Sequence, residues 1–174
     1  GQSLGAYFRD NLFAPLGMDS TAFRLTDEMR GRMAKVHARL GEREFELQME
    51  LEIPQEPEFE MGGGGLYSTI GDYAKFVRMI LNKGVADGQQ VLKSETVEMM
   101  SVNQMGDCRV SLLKSAVPAS SNDAEFFPGL EKSWGLSFMI LEQDAPTGRP
   151  AGSLSWAGLA NSFYWIDPKN GIGG

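Results

Sequence analysis

The sequence has 174 residues, a length that suits one domain with a hydrophobic core. Hydrophobic residues make up 42% of it and the formal net charge is -7, which indicates a globular protein and argues against nucleic-acid binding. No apolar run reaches the roughly 18 residues that a membrane-spanning helix needs. The chain begins without Met and ends on "NGIGG". We therefore expect truncation at both ends of a longer protein, and the compartment stays open.

The chain contains a single cysteine, Cys108, and a single histidine, His37. One cysteine cannot form a disulfide within the chain, and one cysteine with one histidine makes a zinc site unlikely to assemble here. No dinucleotide fingerprint is present, so we expect no metal and no cofactor. The single histidine and single cysteine also disfavour a Ser-His-Asp triad within this chain. We interpret His37 as a structural or surface residue.

The first predicted element is a helix with Ser3 as its N-cap, ended by Pro15 and Gly17. Residues 20–40 are mixed in character, and we predict loop and short irregular structure there. The apolar stripe of the first helix consists of Leu4, Tyr7, Phe8 and Leu12.

The segment "EFELQMELEI", residues 44–53, alternates between apolar and mostly acidic residues. This period of two predicts a half-exposed antiparallel strand. Its acidic face is interpreted as a solvated face in preference to a cation site. The apolar face consists of Phe45, Leu47, Met49, Leu51 and Ile53.

The glycine run of residues 62–65 precedes the clearest helix signal. It lacks the Gly-Lys-Ser/Thr ending of a nucleotide loop, so we interpret it as flexible or closely packed backbone. Thr69 and Asp72 resemble a capping box, and Gly84 fits the position after a helix end. The predicted apolar stripe between them is Tyr73, Phe76, Val77, Ile80 and Leu81.

The second half of the chain predicts a short helix capped by Ser94, then a long surface loop over residues 103–132. "WGLSFMIL" predicts one buried strand. "GRPAGSLSWAGLA" and "NSFYWIDPKNG" predict two strands joined near residues 158–161, with a turn at "DPKNG". Together these elements indicate an α+β fold, an antiparallel sheet flanked by helices.

A local set of residues imitates a catalytic signature. Ser111 and Lys114 fit S-x-x-K, and Thr147 with Gly148 fits the tail of K-T-G. We reject this set because Pro118 leaves no room for the helix that would bring the lysine to the serine hydroxyl. The set would also take its S-x-N element from Ser120 and Asn122, only a few residues further on.

Four segments in order resemble the serine β-lactamase-like family, the group of class C β-lactamases, family VIII carboxylesterases and transesterases. They are "GQSLGAYFRDNLFAPLGMDSTAF", "GGGGLYSTIGDYAKFVRMILNKG", "WGLSF" and "SLSWAGLANSFYWIDPKNG". The resemblance implies a β-lactamase/transpeptidase-like fold, with residues 1–174 as the C-terminal part of a single hydrolase domain. The last segment carries W-x-G where β-lactamases have K-T-G.

Carried over by that motif, Trp156 and Gly158 are substrate-binding residues, and the Leu159 backbone N–H is the oxyanion donor. The family's nucleophilic Ser, its Lys and its Tyr motif lie upstream and match nothing in this chain. The isolated chain is therefore expected to be inactive. Arg149 is a possible substitute cation, although we favour an exposed turn residue.

The resemblance implies that the parent protein cleaves or transfers acyl groups through an acyl-serine intermediate, as a carboxylesterase does. The expected partner is a small-molecule ester or amide, with no nucleic acid and no membrane span. The oligomeric state stays open. Two alternatives remain: β-lactamase or D-Ala peptidase activity of the parent, or a non-catalytic domain of the same fold that binds a ligand or partner.

Overall fold

A computed structural model describes residues 1–48, 52–118 and 121–174, with the side chains of residues 47 and 48 excepted. The chain forms two compact units, residues 1–73 and residues 74–174, and each is described by itself. Within the described residues, no helix has both the length and the apolar character needed to cross a membrane.

The first unit begins with a helix in three segments: α1 (Leu4–Phe8), a π-helical stretch (Arg9–Phe13) and α2 (Ala14–Leu16). The Ser3 hydroxyl accepts a hydrogen bond from the Ala6 N–H at 3.2 Å, which confirms the predicted N-cap. Gly17 ends the helix in the left-handed conformation, as predicted.

The predicted apolar stripe of this helix is wrong at its Tyr7 position, because the Tyr7 side chain is 53% exposed. The buried residues are Phe13 and Leu16, which lie in and after the π-helical stretch. A π-turn holds more residues than an α-turn, so it shifts which residues face the core. Pro15 lies inside α2 instead of ending the helix.

Residues 20–40 contain more regular structure than predicted. Helix α3 (Asp27–Gly31) is capped by the Thr26 side chain, and strand β1 (Val36–Arg39) pairs antiparallel with β2 (Phe45–Gln48). The predicted strand over residues 44–53 is thus confirmed for Phe45–Gln48. Residues 49–51 lie outside the described residues, and Ile53 is not in a strand. Phe45 is 59% exposed, so this residue of the predicted apolar face is not buried.

The glycine run packs closely at its last residue. A Cβ on Gly65 would lie 2.8 Å from the Met61 carbonyl oxygen and 2.8 Å from the Phe23 ring. Close packing therefore accounts for the glycine at this position. Of the two interpretations of the glycine run, flexible or closely packed backbone, the second is confirmed here.

The predicted capping pair is half confirmed. Thr69 Oγ1 accepts a hydrogen bond from the Asp72 N–H at 3.1 Å. The Asp72 carboxylate instead accepts from the Ser20 N–H at 2.8 Å and from the Thr21 hydroxyl at 3.0 Å. These long-range contacts hold the start of the second predicted helix to residues 20 and 21 within the first unit.

Helix α4 (Ile70–Leu81) confirms the second predicted helix. Val77 and Ile80 of its predicted stripe are buried, and Met79 joins them. Gly84 follows the helix end with a φ of 90°, and its N–H donates to the Met79 carbonyl at 2.8 Å. The conformation explains why glycine occupies this position.

Strands β3 (Val85–Ala86) and β4 (Gln89–Gln90) form a short hairpin, and helix α5 (Ser94–Met100) follows. Its N-cap is Lys93, so the predicted cap at Ser94 is wrong by one residue. Ser94 occupies the first helical position, and no side chain caps this helix end.

The main sheet of the second unit has five antiparallel strands in the order β5-β6-β7-β8-β9. "WGLSFMIL" is not one strand, contrary to prediction: β5 (Lys132–Trp134) ends at its first residue, and β6 (Met139–Leu141) forms its last three residues. The two strands pair with Trp134 opposite Met139, and a tight turn at Gly135 reverses the chain. A mostly apolar run gives no clear signal for a turn within it.

Strands β7 (Leu154–Ala157) and β8 (Phe163–Asp167) confirm the predicted pair and its connection near residues 158–161. The Asp167 carboxylate accepts hydrogen bonds from Asn170, which forms the predicted turn before β9 (Ile172–Gly173). Leu154 and Ile166 pair across the two strands and are fully buried. This sheet holds the core of the second unit and fixes the β7–β8 connection.

Candidate active site

The connection between β7 and β8 is a tight turn that begins at Gly158. The Gly158 N–H donates to the Ser162 carbonyl at 2.8 Å, and the Asn161 N–H donates to the Gly158 carbonyl at 3.1 Å. Asn161 takes a φ of 59°, a left-handed conformation that asparagine tolerates. The turn is therefore closed by its own backbone.

Nothing around Gly158 explains why a glycine is there. A Cβ on this residue would meet only the Ser162 carbonyl oxygen, at 4.0 Å, and its φ lies outside the left-handed region. Neither packing among the described residues nor backbone conformation requires a glycine. The empty space above this residue suits the close approach of another molecule to the backbone.

Leu159 follows Gly158 with a side chain that is 76% exposed. Its backbone N–H donates to no other residue in the described part of the chain. A donor that the described residues leave unused, in a turn closed by backbone hydrogen bonds, has the character that an oxyanion hole needs.

Trp156 belongs to a cluster of aromatic rings. Its ring lies edge-on to the Trp134 ring, with centroids 4.4 Å apart, and 5.6 Å from the Phe126 ring. Such contacts restrict an aromatic side chain to one orientation. Trp156 is therefore a fixed apolar wall on the strand that leads into the turn.

A cavity of about 350 Å³ opens beside this strand in the second unit. Trp156 on β7 and Phe163 on β8 line it together with residues of the long loop and of other strands. Gly158 and Leu159 are not among its lining residues. A volume in this range holds a small organic molecule. Its other lining residues are Glu125, Phe126, Phe127, Met139, Arg149, Ser155 and Tyr164.

Arg149 lines this cavity and is half-buried, so the interpretation of this residue as an exposed turn residue is wrong. Its guanidinium carbon lies 4.8 Å from the Trp165 ring centroid and 5.5 Å from the Phe127 ring centroid. Burial lowers the pKa of the Arg149 guanidinium below its ordinary value. The aromatic faces hold a cation at the cavity wall.

The loop that supplies Phe126 and Phe127 is fixed by a buried lysine. Lys132 is 2% exposed, and its Nζ donates to the carbonyls of Phe127 at 2.9 Å and Leu130 at 2.8 Å. The sequence alone did not identify Phe126 and Phe127 as candidate site residues. The available signal was the aromatic pair at 126–127 inside an otherwise polar loop.

The rejected local signature is not assembled in the structure. Residues 111–118 form no helix, so Ser111 and Lys114 lack the one-turn spacing that S-x-x-K chemistry needs. Thr147 lies in a turn, as predicted, and Gly148 has a φ of 91°. Ser120 lies outside the described residues, and Asn122 is exposed.

The two residues with metal-binding or nucleophilic chemistry of their own lie at the surface. His37 is exposed on β1, which confirms its interpretation as a surface residue, and Cys108 is an exposed free thiol. Among the described residues, no three His, Cys, Asp or Glu side chains are grouped closely enough to hold a metal ion.

Comparison with known proteins places the whole chain in one family. The family described as Beta-lactamase matches residues 1–174. The chain belongs to the Beta-lactamase family. This confirms the resemblance seen in the sequence, and the antiparallel sheet with helices agrees with the predicted fold class.

Three relatives show how far the similarity extends. An uncharacterized protein of Mycobacterium tuberculosis is 31% identical over 171 residues, covering 92% of this chain and 39% of that protein. Monacolin J acid methylbutanoyltransferase of Aspergillus terreus is 27% identical and covers 99% of this chain and 43% of the enzyme. The structure described as simvastatin synthase (LovD6 mutant) of Aspergillus terreus superposes with a TM-score of 0.76 at 26% identity, covering 99% of this chain and 44% of that one. The chain thus spans less than half the length of these relatives.

Proposed function

We propose that residues 1–174 are the C-terminal part of a serine hydrolase domain that cleaves or transfers acyl groups, as a carboxylesterase does. The observation that carries this proposal is the β7–β8 turn, where the Leu159 N–H is unused among the described residues and Gly158 has open space above it. Membership of the Beta-lactamase family and similarity to an acyltransferase support the same chemistry.

In the proposed reaction, a serine hydroxyl upstream of this chain attacks the substrate carbonyl, and the carbonyl oxygen becomes an oxyanion. The Leu159 N–H donates to that oxyanion, whose charge is greatest in the tetrahedral intermediate. A base upstream of this chain takes the serine proton and passes it to the leaving alcohol, which departs and leaves an acyl-serine. Water or a second alcohol then cleaves the acyl-serine. One such donor typically lowers the activation free energy by about 3 kcal/mol.

Trp156 favours an ester over a β-lactam as the substrate. The K-T-G lysine of β-lactamases places a cation near the β-lactam carboxylate, and an indole ring supplies no charge there. The ring instead packs with Trp134 and Phe126, which makes this wall apolar. An apolar wall next to open glycine backbone suits the acyl or alcohol group of a small ester.

The experiment is intact-mass analysis of the full-length protein with and without a fluorophosphonate, which labels activated serines. We expect one adduct on a serine upstream of residue 1, blocked by prior incubation with p-nitrophenyl butyrate. We also expect that ester to be hydrolysed faster than nitrocefin. Ser111→Ala is the matched control and should leave labelling unchanged, since Ser111 lies in a segment without a helix.

Three results would count against the proposal. Full-length protein without any adduct would indicate a non-catalytic domain of this fold. An adduct on the 174-residue chain alone, with a mass near 19.1 kDa, would place the nucleophile within it and make Ser111 the first residue to test. Faster hydrolysis of nitrocefin than of the ester would replace esterase by β-lactamase activity.

A further inference from the structure

Arg149 is the only cationic residue among those that line the 350 Å³ cavity of the second unit. The rings of Trp165 and Phe127, at 4.8 Å and 5.5 Å, restrict its guanidinium. An arginine held between aromatic faces has lost much of its rotational freedom before any ligand arrives. Less entropy is therefore lost when it binds one.

Within the described residues, Arg149 has no carboxylate partner within 4.0 Å, and its guanidinium donates no hydrogen bond. Two more exposed arginines are paired: Arg109 with Glu131 at 2.6 Å and Arg30 with Glu52 at 2.9 Å. A partly buried cation without an acidic partner is costly, and an anionic ligand in the cavity would supply that partner.

The chemistry of the ligand follows from the guanidinium and from its surroundings. A planar fork of N–H donors matches the two oxygens of a carboxylate, and the aromatic walls accept an apolar stem. Glu125 also lines the cavity and is exposed, so its charge opposes an anion at longer range. The cavity therefore fits one carboxylate on an otherwise apolar or aromatic molecule.

We propose that Arg149 is a specificity-determining residue that binds a carboxylate group carried by the substrate. This inference rests on the proposed acyl-transfer function, because the cavity is lined by Trp156 on the strand that leads into the proposed oxyanion turn. It adds a substrate class to that function: small esters or acyl acceptors that bear a free carboxylate and an apolar body.

The test is binding of 5-phenylpentanoate and of its neutral amide, 5-phenylpentanamide, to the full-length protein, measured by calorimetry. The two probes share shape and differ in charge. The wild-type protein should bind the carboxylate about 10- to 100-fold more tightly than the amide, as expected for hydrogen bonds to a charged group. Arg149→Gln should bind both probes equally, and Arg149→Lys should retain part of the preference because lysine lacks the fork.

Lys169→Gln is the matched control, since it removes one positive charge from an exposed turn of the same unit outside the cavity. It should keep the wild-type preference. Glu125→Gln should raise affinity for the carboxylate about two- to threefold and leave the amide unchanged, because it removes a repulsive charge.

Equal affinity of the wild-type protein for the two probes would overturn the inference without any variant. A preference that persists in Arg149→Gln would overturn it as well. Hydrolysis of p-nitrophenyl butyrate, measured in parallel, reports on the proposed function separately. Hydrolysis without carboxylate preference defeats only the assignment of Arg149, whereas preference without hydrolysis leaves a carboxylate-binding site in a domain that is not an esterase.

Discussion

Two turns of the same five-stranded sheet begin shortly after a tryptophan and contain a glycine, yet their surroundings are opposite. In the β5–β6 turn, Gly135 follows Trp134 and is buried; a Cβ there would lie 2.0 Å from the Met100 carbonyl oxygen. In the β7–β8 turn, Gly158 follows Trp156 by two residues, and a Cβ there would have no neighbour closer than 4.0 Å. The protein's own packing demands the first glycine and leaves the second unexplained.

This difference separates a structural glycine from a candidate functional one. Both residues look alike in the sequence, because each is a small residue next to an aromatic strand. Only the space around each backbone distinguishes them. The glycine without an internal cause is the one that matches the W-x-G motif, and we attribute it to the approach of a substrate.

Gly135→Ala should have the largest effect on stability. The new methyl group would overlap the Met100 carbonyl, which lies at the end of helix α5 and is backbone that moves only with the helix. We expect a loss of about 3 kcal/mol in the free energy of unfolding, measured by urea titration. A loss below about 0.5 kcal/mol would show that the two turns do not differ as described.

Gly158→Ala should act in the opposite way. Its methyl group meets open space and its φ is outside the left-handed region, so the free energy of unfolding should stay unchanged or rise by up to about 1 kcal/mol. Hydrolysis of bulky esters by the full-length protein should fall about tenfold, because the methyl group occupies the approach to the backbone. Destabilisation similar to that of Gly135→Ala would return Gly158 to a structural role.

Asp167→Asn should have the smallest effect and concerns the third turn of the sheet, between β8 and β9. Burial alone would raise the pKa of the Asp167 carboxyl, but hydrogen bonds from Asn170 outweigh it and the pKa lies below its ordinary value of 3.8. A lowered pKa stabilises the folded protein above pH 3.8, and this contribution is lost as the pH falls through the lowered pKa.

The wild-type protein should therefore be more stable than Asp167→Asn at pH 7, by under about 1 kcal/mol, and the difference should be smaller at an acidic pH at which the Asp167 carboxyl is protonated in the folded protein. Urea titrations at the two pH values measure it. Asn170→Ala is the matched variant, because it removes a donor from the same carboxylate. A difference that is independent of pH would assign the role of Asp167 to packing alone.

Much of the sheet could be predicted from the sequence, because alternation and turn residues over 152–171 define two strands and both of their ends. The β5–β6 hairpin could not, since its turn is contained in an apolar run. The exposure of Tyr7 could not be predicted either, because no local sequence pattern indicates the π-helical stretch that follows it.

The proposed site divides in the same way. The W-x-G motif contains Trp156 and Gly158, and Leu159 directly follows it, so one short stretch of sequence identifies all three. The cavity wall consists of residues from a polar loop, a turn and two strands, so Phe127 and Arg149 meet only through the fold. Their separate positions in the sequence carry no signal that they meet.

The most direct test of the central claim replaces the peptide bond before Leu159 by an ester in the full-length protein, which removes the N–H and keeps the side chain. We predict that kcat for p-nitrophenyl butyrate falls by about 10²- to 10³-fold with little change in stability. The control is the same replacement at Leu136, another exposed turn residue whose N–H donates to none of the described residues, and it should leave kcat unchanged. Equal kcat values for the wild-type protein and for the two backbone-ester variants would contradict an oxyanion hole at this turn.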